Sequence, residues 1–570
     1  MVRVNGHDEA DQENDLIGDA GYISMKRLPI GYDDFKALRN EGRYYVDKSQ
    51  LIAEIVNGDA QVFLFTRPRR FGKSLNISML DAFFNLEYVG NTWFDGLKVE
   101  ECEDCMKMKN AHPVIHLDLK GLNVDDERLF DKTVRKRIRD LYGKYIYLKD
   151  SDALTDLQRE YYSDIVDRDF EKTGPSESLK DLSAMLQAHH GKEVILLIDE
   201  YDNPIQNSYG TEVQKRIIAF MRNLLTNALK GNSALKLAVI TGVMQIAKES
   251  IFSGLNNLYV NNILSSSFSE YFGFTEPEVR DLLGHCEFPE KFSECREWYD
   301  GYRFGESDIY NPWSILNYVS EKCTPRPYWA GTSGNEIIRT LLDHSTQDTW
   351  DVVSALSGGG KAIVDFRDQV VYSDIERDPS AIYSIMAMSG YLNAKHTDFG
   401  YEISIPNREV YQIYEGTILS AINQNESSVR IAMLFAALRN NDGEAIGDAI
   451  GELIRGALSS KILDSEHVYQ FFLIGMMMGF CGNYRIFGDT LESGEGFADI
   501  RMECTSGVGP NIIIELKRSK DEKDLAHDAS AALGHIRTKG YAHGLKGRTL
   551  FYGISFHKKT PFVLSEESAG

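Results

Sequence analysis

Four apolar runs of strand length, at residues 62–65, 114–119, 194–198 and 235–240, are separated by stretches of helical periodicity. Between the third and fourth runs, Val213, Ile217, Phe220, Leu224 and Ala228 fall on one face of a helix. Strands that alternate with helices in this way predict a parallel sheet covered by helices, because each crossover must return to the same edge of the next strand. The chain has 570 residues, more than one core accommodates, so about three or four domains are expected.

The first run continues as VFLFTRPRRFGKSLNISML, which reads strand, loop, helix. A phosphate-binding loop needs that order, because the free amides at a helix start must face the phosphates. Lys73 is placed to reach the β- and γ-phosphates of ATP, Ser74 to hold magnesium through its hydroxyl, and Gly72 to let the backbone approach closely. The loop backbone from Arg69 and Arg70 through Phe71 to Leu75 completes the candidate cofactor site. The usual pattern G-x-x-x-x-G-K-S/T lacks its first glycine here; Arg67 stands in that place.

The third run, VILLIDEYDNP, ends in two acids. Asp199 at the strand tip is expected to hold magnesium through water, and Glu200 to polarise the attacking water. The fourth run, LKLAVITG, carries Thr241 where a polar residue senses the γ-phosphate. Solvated acids at a strand end are common, and it is the three elements together that point to an ATPase.

These segments resemble the predicted AAA-ATPase-like family of bacteria and archaea, whose members usually carry a C-terminal nuclease-superfamily domain. The resemblance rests on LPIGYDDFKALRNEGRYYVDKSQLI, TRPRRFGKSLNISML, LLIDEYDNPI, ITGVMQIAKESIFSGLNNL, YNPWSILNYV and YWAGTSGNE, which cover most of residues 25–340. It implies that Arg67-Pro68-Arg69-Arg70 is a normal form of the loop. It also implies that Gln245 replaces a frequent arginine, which would slow hydrolysis if that arginine touches the γ-phosphate. Arg69 and Arg70 are candidates for the charge-stabilising role; structural pairing with acids such as Asp47 is the alternative.

Near the C-terminus, ESGEGFADIRMECTSGVGPNIIIELKRSK places an aspartate on one strand and Glu-x-Lys on the next. If the strands pair through the turn at 507–510, Asp499 and Glu515 sit side by side and can bind magnesium through oxygen. Lys517 shares the face of Glu515 and could orient water or stabilise a pentavalent phosphate. This constellation resembles the PD-(D/E)XK nuclease superfamily over about residues 431–558, with Glu492 at the position of an acid found upstream in its ATPase-fused branch. Phe497, His535 and Gln470 depart from the residues that relatives often carry.

The expected fold class is thus α/β. A disordered tail at 1–24 precedes a P-loop ATPase parallel sheet at 25–274. A mostly helical middle region at 275–430 and a restriction-endonuclease-like α/β domain at 431–570 follow. Met25 opens the first patterned segment and is a candidate translation start. The expected function is ATP-regulated nucleic-acid processing or defence. The alternative is a nucleotide-dependent switch or scaffold whose nuclease-like domain binds without cutting.

A net charge of −23 excludes a generally DNA-coating surface, so DNA or RNA would need a local basic groove. Residues 515–548 hold eight Lys/Arg against five acids, enough for a few phosphates and equally compatible with a solvated helix face. The first residues lack an apolar leader, and the ten-residue apolar stretch at 471–480 is too short for a membrane span and reads as a buried helix. Seven cysteines without pattern are expected to be reduced thiols of a cytoplasmic protein, and a zinc site at Cys102 and Cys105 is weighed and set aside. A homo-oligomer is left open.

Overall fold

The structure is a computed structural model that describes residues 26–568, apart from 169, 171–172, 246–251, 253–256, 330–351, 353–355, 357–359, 368–379, 399, 415–426, 459–462, 464, 479–483, 489–491, 494–495 and 505–508. The tail expected at 1–24, with the candidate start Met25, lies outside the described residues, as does part of the turn at 507–510.

The four apolar runs are strands β1 (Val62–Thr66), β2 (Val114–Asp118), β3 (Val194–Asp199) and β4 (Leu235–Gly242). A fifth, β5 (Leu258–Asn261), joins them in the order β2-β3-β4-β1-β5, and every pair is parallel. Both faces are covered, which is why β1 and β3 are buried at every position and apolar up to their last residue rather than alternating. Phe63, Phe65, Ile195, Leu197 and Val239 face one core, while Leu64, Ile115, Leu196, Ile198 and Ile240 face the other. Helices of the crossovers supply the cover, among them α1 (Lys73–Phe84), α2 (Glu127–Gly143), α3 (Ser178–His190) and α4 (Gln214–Leu229). On α4, Ile217, Leu224 and Ala228 are buried as the periodicity requires. Phe220 is half-buried and meets Phe130 edge-on at 5.5 Å.

Among its described residues the middle region is helical at 276–285, 292–299, 312–320 and 381–388, with short strands added between the helices. A hairpin, β6 (Tyr302–Phe304) with β7 (Ser307–Ile309), leads into α5 (Pro312–Ser320). Around α6 (Ala381–Met388) lies a three-stranded antiparallel sheet in which β10 (Gly400–Ser404) is central between β8 (Ala362–Val364) and β9 (Asn393–Thr397). The short strands escaped notice because three to five residues carry too little periodicity to separate strand from turn. Tyr302, Phe304, Trp329, Tyr391 and Tyr414 belong to the same apolar core as Phe63 and Phe65 of the parallel sheet. This region therefore shares a core with the parallel sheet and touches the loop after β1 through Arg67 and Phe71.

The last region has its own core. Strands β11 (Tyr484–Phe487), β12 (Ile500–Cys504), β13 (Asn511–Arg518), β14 (Thr549–His557) and β15 (Thr560–Glu567) form a sheet in that order. Only β13 and β14 pair in parallel, and α10 (Leu525–Lys539) makes the crossover between them. Gly553 lets α10 lie directly on β14, since a Cβ there would strike the Ala529 carbonyl. Helices α7 (Ser427–Asn440), α8 (Gly443–Ala457) and α9 (Glu466–Met478) share a core with Ile500, Ile512, Ile514 and Leu550. On α9, Leu473, Met476 and Met477 are buried while Phe471 is exposed, so this apolar stretch is one-sided rather than wholly buried. Among the described residues no helix is long and apolar enough to cross a membrane.

One expectation about thiols is corrected. Cys102 caps a short helix whose third residue is Cys105, its sulfur accepting the Cys105 N–H, and the two are joined as a disulfide. The C-x-x-C spacing spans one helical turn and puts both sulfurs on one side. Among the described residues, Cys286, Cys295 and Cys323 are buried outside any disulfide.

Candidate functional site

The loop between β1 and α1 starts from Arg67, which explains the absent glycine. Its side chain is wholly buried and turns down into the seam between β1 and β5. There the guanidinium donates to the carbonyls of Thr66 and Asn261 and to the Asn261 side chain at 2.5 Å. The rings of Phe272 and Phe304 flank it at 5.0 and 5.1 Å, and burial pushes its pKa down to about 9. An arginine here anchors the loop from below, where a glycine would only allow it to turn. Arg70 (φ +71°) and Gly72 (φ +84°) adopt the left-handed conformation. For glycine this is free, whereas at Arg70 it costs about 1–2 kcal/mol, so the surrounding contacts must hold it.

Gly72 caps α1, and Lys73 is its first helical residue, 3% exposed. The ammonium has three protons. Two face the carbonyls of Arg67 and Pro68, each at 3.1 Å, and Glu200 lies 3.6 Å away. Glu200, just beyond β3, also has a left-handed backbone (φ +52°). Strain of this kind in a non-glycine residue clusters where geometry serves function. Asp199 is buried at the tip of β3, and its Oδ1 accepts both the Thr241 hydroxyl and, at 3.1 Å, the Glu200 N–H. The order of strands brings Thr241 there, because β4 lies between β1 and β3.

Ser74 and Asp199 open on one polar cavity of about 340 Å³, with Ser78, Asp81, His116 and Asp118 on its walls. Burial lowers the pKa of His116 and raises that of Asp118. A serine hydroxyl and a strand-tip carboxylate facing shared polar space are the hard oxygen donors that magnesium takes.

The remaining loop residues divide by what they can offer. Phe71 is fully buried and Leu75 packs on the same core, so each presents only backbone to a phosphate. Arg69 and Arg70 are exposed. The Arg70 guanidinium lies over the Trp313 ring at 4.4 Å. Asp47, the acid considered as a partner for these arginines, accepts instead from the amides of Ser49 and Lys98. Gln245 is buried, and the residues after it lie outside the described set.

Asp202 is the residue that sequence reasoning missed. It is fully buried and accepts the amides of Val243 and Met244, the latter at 2.7 Å. Burial and the nearby Glu200 charge push its pKa up to about 7. Tyr201 adds a bond to the Met244 carbonyl at 2.7 Å. Gly242 is required where they meet, since a Cβ there would lie 2.6 Å from both Asp202 and Tyr201. The third acid of DEYD thus ties the end of β4 to the end of β3. Only its spacing from Asp199 hinted at this.

In the C-terminal sheet Ile500 pairs with Ile514, which sets Asp499 against Glu515 at the end of the ladder. Asp499 Oδ2 accepts the Leu516 N–H at 2.6 Å, and the Asp499 carbonyl accepts from Gln470 on α9 at 2.8 Å. Glu515 is buried; burial raises its pKa, and a 2.5 Å bond to His535 Nδ1 on α10 opposes the rise. Lys517 lies 4.0 Å from Glu466. Glu492 is opposite Phe497 in a two-residue bridge. Among the described residues, no group of three or more His, Cys, Asp or Glu is gathered to hold a metal.

Comparison with known proteins addresses the first of these sites. The chain is 31% identical over 328 residues to an uncharacterized protein in the vnfD 5' region of Azotobacter chroococcum mcd 1; the match covers 56% of this chain and 57% of that protein. Residues 29–252, which hold the loop, both acids and Thr241, match the family model described as Predicted AAA-ATPase. Four of the five parallel strands and the loop after β1 therefore lie within residues that are similar to a predicted AAA-ATPase.

Proposed function

We propose that residues 29–252 bind ATP with magnesium and hydrolyse it. The observation that carries this reading is the convergence of Lys73, Glu200, Ser74 and Asp199 at the C-terminal ends of β1 and β3. Magnesium, when bound, would supply charge neutralisation at the phosphates. Ser74 and Asp199 would hold it, and Thr241 would fix the Asp199 carboxylate through its hydroxyl. An incoming β- or γ-phosphate would compete with Glu200 for the third proton of Lys73. The exchange leaves Glu200 facing the phosphoryl group, where its carboxylate can take a proton from water. Amides at the start of α1 present donors to the same phosphates.

The test is magnesium-dependent ATP binding by calorimetry, followed by phosphate release. Asp199→Asn is expected to lose most of the dependence of binding on magnesium. Identical binding by wild type and Asp199→Asn at every magnesium concentration would remove Asp199 from this role.

A second reading concerns the C-terminal region, and it is supported by Asp499 lying against Glu515 with Lys517 two residues on. We infer a magnesium- or manganese-dependent phosphodiesterase site there, acting on DNA or RNA under control of the ATPase domain. The mixed sheet, with α10 crossing between parallel β13 and β14, is compatible with a restriction-endonuclease-like fold. Plasmid nicking with either metal, with and without ATP, is expected from wild type and not from Asp499→Ala. Binding without nicking would favour a scaffold role.

A further inference from the structure

The outer arch of the phosphate loop is held from outside the family-matched residues. Pro68 lies against Gly390, where a Cβ would come within 2.9 Å. The Arg69 carbonyl accepts the indole N–H of Trp329 at 3.2 Å, across 260 residues of sequence. Arg70 rests on Trp313, and Phe71 meets the rings of Tyr302 and Phe304 at 5.0 and 5.1 Å. Four successive loop residues are thus braced by residues 302–390.

The two tryptophans are themselves tied together. Trp313 Nε1 donates to the Tyr328 carbonyl at 3.1 Å. The Trp329 ring is fully buried against Tyr391, with centroids 5.0 Å apart. Its backbone N–H is taken by Glu409 Oε1 at 2.7 Å, while Glu409 Oε2 accepts the Ser314 hydroxyl on α5 at 2.7 Å. Glu409 is wholly buried, so each of its oxygens requires a donor. Burial pushes its pKa up to about 7, against the opposing effect of these donors.

In a trans peptide the C=O and the next N–H point in opposite directions. An indole that holds the Arg69 carbonyl on the outer side of the loop therefore turns the Arg70 N–H to the inner side. A carbonyl pointing inward would instead repel a phosphate.

We propose that Trp329 is a positioning residue of the nucleotide site, anchored by Glu409, which holds the 69–70 peptide so that the Arg70 amide faces a nucleotide phosphate. The inference rests on the ATP-site reading above. It places control of nucleotide affinity in residues beyond 29–252.

The test is calorimetric binding of magnesium–ATP to the full chain, with steady-state hydrolysis and thermal melting alongside. Trp329→Phe keeps the ring and removes the donor. It is expected to weaken binding and raise KM by about tenfold, the loss of one hydrogen bond, with kcat at saturation nearly unchanged. Glu409→Leu should do the same, and the double variant should be no worse than either single one. Glu409→Gln, which can still accept from Trp329, should restore most of the affinity. A folded Trp329→Phe that binds within about twofold of wild type overturns the proposal, as do additive effects of the two substitutions. A lowered Tm with unchanged affinity and KM would show ordinary packing and overturn it too. Wild-type protein that binds no nucleotide would remove the ATP-site reading, and this inference with it.

Discussion

Lys73→Ala is expected to lower ATP hydrolysis by at least about a hundredfold, the scale of losing one preorganised charge-stabilising donor. The side chain donates to two loop carbonyls and pairs with Glu200, and it is almost completely buried. Alanine leaves those carbonyls and the Glu200 carboxylate without their cation. A modest fall in stability is therefore expected beside the loss of activity. Far-UV circular dichroism and a thermal melt separate the two effects. Turnover equal to wild type in a folded Lys73→Ala protein would falsify the assignment of ATP hydrolysis to this loop.

Glu200→Gln is expected to bind magnesium–ATP at least as tightly as wild type and to lose phosphate release by about a hundredfold or more, since general-base catalysis contributes on that scale. The amide keeps the size of the side chain, so the left-handed turn at Glu200 is unchanged. It no longer competes as an anion for Lys73, which is why affinity should not fall. Single-turnover phosphate release at saturating ATP checks the chemical step, and calorimetry checks binding. If Glu200→Gln hydrolyses ATP normally, the base lies elsewhere and Glu200 serves only as the partner of Lys73.

The strand ends and the helix start on which Lys73, Asp199 and Glu200 stand were legible in the residues. A helix that begins at Gly-Lys-Ser directly after an apolar strand leaves its amides in one place, and an apolar strand ending in Asp-Glu places acids at a sheet edge. Both signals are local. Asp202 was written in the same run, yet its role depends on the amides of Val243 and Met244, more than 40 residues away. The four-residue β5 carries no periodicity of its own and is defined by pairing with β1.

By itself, then, the sequence determined that strands and helices alternate, that the strands are covered on both faces, and which side chains stand at their tips. Periodicity and apolar runs report burial, and burial of a two-sided sheet follows from composition alone. The tertiary structure decided which tips meet. Placing β4 between β1 and β3 brings Thr241 onto Asp199 and Glu200 onto Lys73. Arg67 in place of glycine is intelligible only once Asn261 of β5 lies beside it. The bond from Trp329 to the Arg69 carbonyl joins positions 260 residues apart. Buried polar groups need partners, and a pattern confined to neighbouring residues records that need without naming the residue that meets it.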